Sequence, residues 1–198
     1  MAEVIVSDLK QLLSEIAACR ICEGQIPEPR PVLRGTSSAR LLIIGQAPGS
    51  KVHASGIPWG DASGSRLRAW MGLTDAEFYD PSRVAIMPMG FCYPGKGKSG
   101  DLPPAPVCAP TWHHQVLQHL QKIECTLLIG LYAQRHYLSE APNRLTDTVK
   151  NWRSYAPTQF AIPHPSPRNQ LWLRRNAWFE QEVVPALQDR VRAIMRAA

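Results

Sequence analysis

Residues 41–64, LLIIGQAPGSKVHASGIPWGDASG, constrain this chain more than any other stretch. The opening LLII is apolar and partly β-branched, and reads as a short buried strand. Gly45-Gln46-Ala47-Pro48-Gly49 breaks it sharply, because Gly and Pro end regular structure and let backbone come close to a ligand. A second glycine-rich cluster, residues 56–64, holds Trp59 and Asp61 in another tight turn. In an open α/β sheet, ligands sit in the crevice beyond the carboxyl ends of the strands. The stretch therefore reads as a pocket floor with an aromatic wall.

The rest of the chain supplies a sheet to carry that pocket. Residues 7–18 place Leu9, Leu12, Leu13, Ile16 and Ala17 on one helical face, with Ser7 as candidate N-cap. Helices are expected over 65–72, 111–122 and 133–138, with Trp112, Val116, Leu117 and Leu120 facing inward on the second. Further strands are expected over 83–87, 126–130 and 160–162, and a long closing helix over 170–195, bent near Pro185. Residues 90–110, rich in Gly, Pro and Lys, read as a long loop. Four short strands separated by helices or crossover-length segments imply a parallel sheet covered on both faces. The turns at 45–49 and 164–169 both follow strands, so they should meet on one edge of that sheet.

Length and charge set the outer bounds. The 198 residues suit one domain, 1–198, long enough to bury a proper core. No run approaches the roughly 18 apolar residues of a membrane span, and the acidic, helically spaced N-terminus is unlike a signal peptide. A cytoplasmic protein with no membrane partner is the expectation. With 22 Lys+Arg against 16 Asp+Glu, the charge of +6 suits an anionic partner without requiring one. The 18 prolines fall mostly in connecting segments and imply stiff, shaped loops.

Cysteine spacing adds a separate signal. Cys19 and Cys22 form a C-x2-C pair at a helix end, and Cys92 and Cys108 flank the Gly/Pro loop. In a cytosolic chain disulfides are rare, so four thiolates are candidates for zinc or an iron–sulfur cluster, against scattered buried cysteines. Cys125 opens an apolar run and reads as plain core.

Together these features resemble the uracil-DNA glycosylase superfamily, from about Cys19 to Asn169. The cysteine layout is similar to the iron–sulfur family 4 enzymes, and GQAPG at 45–49 to their GEAPG, with Gln46 where Glu is usual. GIPWG at 56–60 and HPSPRN at 164–169 resemble the single-strand-selective monofunctional glycosylases, and GDASG at 60–64 resembles family 5. The resemblance implies a three-layer α/β/α fold around a four-stranded parallel sheet, acting as a monomer on DNA with a damaged base. It implies a monofunctional base-excision enzyme that flips out uracil or another deaminated base and hydrolyses its N-glycosidic bond. It also implies a 4Fe–4S cluster on Cys19, Cys22, Cys92 and Cys108, with zinc the lesser alternative.

Roles carry over position by position. His164 is the donor to the leaving base, and Trp59 stacks on the flipped base where relatives have Phe. The backbone at Gln46 and Ala47 touches base or phosphate. Arg168, Asn169, Arg174 and Arg175 follow the second motif and would grip the DNA backbone, joined by Lys96 and Lys98. Two positions depart from the family. Ala47 stands where many relatives carry Asp or Asn, which leaves water activation to Asp61, with Gln46 orienting the water and an N-cap role for Asp61 as the competing reading. Pro88 stands four residues before Cys92, where family 4 has a uracil-reading Asn. The alternatives are a non-catalytic nucleic-acid-binding relative with an iron–sulfur or zinc site, and a redox or interaction protein built on the CxxC.

Overall fold

The computed structural model describes residues 8–196, so the Ser7 cap lies outside the described residues. The first helix, α1 (Leu9–Ala17), is capped by Asp8, whose carboxylate accepts from the Gln11 N–H at 3.0 Å. There follow β1 (Leu41–Ile44), α2 (Ser50–Ser55), α3 (Ala62–Met71), α4 (Asp75–Phe78), β2 (Val84–Ile86), β3 (Lys96–Gly97), β4 (Gly100–Asp101) and α5 (Cys108–His119). The chain continues through β5 (Cys125–Ile129), α6 (Leu131–Tyr137), α7 (Leu145–Lys150), β6 (Gln159–Ile162), α8 (Gln170–Arg175) and α9 (Val184–Arg196). Among the described residues no helix is long and apolar enough to cross a membrane.

The main sheet has four parallel strands in the order β2-β1-β5-β6, with Leu41 opposite both Val84 and Cys125, and Leu127 opposite Phe160. Alternate residues of each strand feed opposite cores, as a period of two requires. Leu41, Ile43, Ile86, Leu127 and Phe160 pack with Leu67 of α3 and Leu187 and Val191 of α9. Leu42, Ile44, Ala85, Leu128 and Ala161 pack with Leu12 and Ile16 of α1 and Val116 of α5. That is the expected three-layer α/β/α fold, with Cys125 fully buried in it. All four strands point the same way, so the turns after β1 and β6 lie on one edge.

Several boundaries differ from the sequence reading, each for a local reason. Helix α3 begins at Ala62 rather than 65, because the Asp61 side chain caps it by accepting from the Gly64 N–H at 3.0 Å. The 90–110 loop contains the antiparallel β3–β4 hairpin, whose two-residue strands are too short to show a period. Trp112 and Leu117 are only half-buried, while Val116 and Leu120 are buried. The closing helix breaks at Asn176, not Pro185: its Nδ2 donates to the Trp172 carbonyl at 2.8 Å, so the side chain competes with the helix backbone. Pro185 sits just after a π-helical turn, Phe179–Val183. The wider turn removes the clash a proline ring makes with the carbonyl four residues earlier in a regular helix.

Candidate active site

The turn after β1 is held by hydrogen bonds that continue past the strand end. Met89 N–H donates to the Gly45 carbonyl at 2.8 Å and Gly90 N–H to Gln46 at 3.0 Å. A Cβ on Gly45 would stand 3.0 Å from Cζ2 of Trp59, so the glycine leaves the indole room to lie against this turn. Gln46 Nε2 reaches across to the Leu102 carbonyl at 2.9 Å and clamps the β3–β4 hairpin onto the turn.

Trp59 is held in the left-handed region at φ 57°, a conformation that costs a non-glycine residue energy unless its surroundings enforce it. Arg68 Nη1 and the Tyr79 hydroxyl both donate to its carbonyl at 3.2 Å. From the other side Gly64 closes in, and a Cβ there would fall 1.7 Å from the same carbonyl oxygen. The glycine of GDASG therefore seats the Trp59 backbone on the first turn of α3.

The loop after β6 brings His164 to the same place. Its ring lies 5.5 Å from that of Trp59, tilted by 33°. Ser166 N–H donates to His164 Nδ1 at 3.2 Å, and Asn169 Nδ2 donates to the His164 carbonyl at 2.7 Å. Arg66 Nη1 donates to the Ser166 carbonyl at 3.2 Å, tying this loop to α3. Burial pulls the His164 pKa below its usual value, opposed by the negative charges of Asp61 and Asp101.

These elements enclose a cavity of about 410 Å3, within the range of small-molecule sites. Gln46, Ala47, Trp59, Asp61, His164 and Arg168 all line it, as does Pro88. Arg174, Arg175, Lys96 and Lys98 are exposed outside it, and the Asn169 amide is turned inward onto the His164 loop. Sequence reasoning missed two groups. Asp101 of β4 lines the cavity, but no short-range pattern links it to motifs so far away in the chain. His113 of α5 is buried, and its Nε2 donates to the Pro88 carbonyl at 3.1 Å, so the backbone at the position without the expected Asn is held from behind.

A second cavity, on the α1–α5 side of the sheet, is lined by Cys19, Cys22, Cys92 and Cys108. Cys19 follows the end of α1, Cys108 opens α5, and Phe91 N–H donates to Cys108 Sγ at 3.3 Å. Burial pushes the Cys92 and Cys108 thiols up to about 11 and about 12. Among the described residues no three His, Cys, Asp or Glu side chains close on a single-ion site. Residues 33–188, most of the chain, match the family model described as the uracil DNA glycosylase superfamily.

Proposed function

The chain belongs to the uracil DNA glycosylase superfamily, whose members in general hydrolyse bases from DNA, and we propose that it is a monofunctional glycosylase for uracil or another deaminated base. The convergence of Trp59, Asp61 and His164 on one cavity carries this reading. Extruding a base costs a few kcal/mol. Stacking on an aromatic ring returns roughly 1–3 kcal/mol per base, and Trp59 is the ring available.

Cleavage puts positive charge on the sugar and negative charge on the departing base. His164 answers the second: with Nδ1 accepting from Ser166, the neutral ring carries its proton on Nε2 and donates it as a hydrogen bond to the base. Asp61 answers the first and takes the proton of the attacking water, which Gln46 orients. Ala47 can do neither. With Pro88 in place of an amide side chain, the base edge is read by backbone groups, and that leaves room for bases other than uracil. Arg168, Arg174, Arg175, Lys96 and Lys98 would bind phosphates, each steepening the salt dependence of affinity.

The four cysteines are the candidate ligands of a 4Fe–4S cluster, with zinc the lesser alternative. Cys19, Cys22, Cys92 and Cys108 all line one cavity, which is the observation that supports a shared group. A bound cluster would pin the end of α1 to the start of α5 and has no step in the hydrolysis.

The test is single-turnover cleavage of oligonucleotides carrying uracil, hypoxanthine or xanthine, single- and double-stranded. Cleavage of any one establishes the glycosylase and names its base. No cleavage, with salt-sensitive binding retained, makes the protein a non-catalytic DNA binder with Ala47 as the decisive residue.

A further inference from the structure

The β3–β4 hairpin brings one residue to the cavity that the motifs do not account for. Asp101 lines it together with Asp61 and His164. A Cβ on Gly49 would stand 3.5 Å from Asp101 Oδ2, so the carboxylate lies directly over the GQAPG turn. The hairpin is held there by one side chain, and a second stands beside it. Gln46 grips the Leu102 carbonyl, and Arg168 Nη1 lies 3.7 Å from where a Gly100 Cβ would be.

An acidic side chain is out of place here if the hairpin only binds DNA. Lys96 and Lys98 sit on the same hairpin and suit phosphate, whereas a carboxylate repels it. Among the described residues Asp101 has no side-chain hydrogen bond or ion pair that would give it a structural task, while Asp61 commits Oδ1 to the α3 cap. Chemistry offers a reason. The sugar becomes cationic as the C1′–N bond breaks, and a second negative charge beside it lowers that barrier.

We infer that the sugar face of the site is built from two carboxylates, and that Asp101 is the second catalytic one, facing the sugar across the cavity from Asp61. This rests on the glycosylase reading above. In the step itself, the C1′–N bond breaks and its electron pair leaves with the base, which takes a hydrogen bond from His164 Nε2. The water oxygen bonds to C1′ and its proton passes to Asp61. Asp101 stays ionised and offsets the sugar's charge throughout. The charge of Asp101 also reaches the His164 imidazole, in the same direction as that of Asp61.

The experiment compares wild type, Asp101→Asn and Lys96→Gln on the best substrate, in saturating single turnover and by DNA titration. Asp101→Asn is expected to cut the rate at least about tenfold, as loss of an electrostatic contact in the transition state does, while DNA binding stays equal or tightens. Lys96→Gln is expected to weaken binding, and so shows what the loss of a phosphate contact looks like in the same two assays. Asp101→Asn at the wild-type rate, or slowed only in proportion to weakened binding, overturns the inference while the glycosylase stands. A wild type that cleaves no substrate fails the underlying reading instead. Both substitutions lie on an exposed hairpin, so an unchanged melting temperature separates chemistry from folding.

Discussion

The backbone N–H of Ser166 points at Nδ1 of His164, 3.2 Å away, and this contact decides which imidazole nitrogen carries the proton. A nitrogen that accepts cannot also bear hydrogen, so in the neutral ring Nε2 does. Burial lowers the His164 pKa, which keeps the ring neutral at pH 7. His164→Ala should therefore slow single-turnover cleavage by about 10²–10³-fold, the usual loss for one donor to a developing anion, with DNA binding nearly unchanged. A variant that cleaves at the wild-type rate removes His164 from the mechanism.

Asp61 caps α3 and, in the proposed mechanism, takes the proton of the water, and one substitution separates the two. Asn caps helices as well as Asp, so Asp61→Asn should keep the α3 cap and the melting temperature. It should still lower the single-turnover rate at least about tenfold, because the amide cannot take a proton. Asp61→Ala should add about 1 kcal/mol of lost cap stability, read by denaturant titration. A wild-type rate in the Asn variant would pass water activation to Gln46.

The four cysteines make a separate prediction about metal. Purified without oxygen, the wild type should be brown and contain iron and sulfide, and Cys108→Ser should lose the colour and melt at a lower temperature. Cys108 carries this test because it anchors the first turn of α5 and meets the Phe91 N–H. A colourless wild type free of iron and zinc, as stable as the variant, rules the cluster out.

What could be read from the chain depended on the range of the signal. The four sheet strands are apolar runs ended by turn residues, so 41–44 was exact and the ends of the others differed by one residue at most. The floor of the site was legible because Gln46, Trp59, Asp61 and His164 sit in compact motifs directly after strands or at a helix start. The β3–β4 hairpin was not, since four paired residues cannot display alternation. Asp101 was invisible for the same reason and one more: its neighbours Gly49 and His164 come from distant strands. The break at Asn176 escaped notice because a run of helix formers on both sides outweighs one side chain that bonds its own backbone.

His113 supports the Pro88 segment of the cavity wall from behind. A carbonyl can only accept, so the 3.1 Å contact to Pro88 fixes the proton of neutral His113 on Nε2, and Nδ1 accepts from the Tyr137 hydroxyl at 2.5 Å. Burial drives the His113 pKa down from 6.5 to about 4, helped by the nearby His136 and opposed by the Pro88 bond. A base whose folded pKa is depressed takes up its proton more readily when unfolded. Its stabilising effect is therefore full above pH 6.5 and is lost as pH falls toward 4. The shift corresponds to on the order of 3 kcal/mol, chiefly the cost of holding a charged imidazole away from water. The denaturant midpoint should fall over that window. His113→Gln, which keeps a donor and an acceptor but cannot titrate, should flatten the fall. Because Pro88 lines the active cavity, the same variant should change the ratio of rates between uracil and hypoxanthine. An unaltered midpoint profile and an unaltered ratio would show that His113 supports neither the fold nor the reading edge.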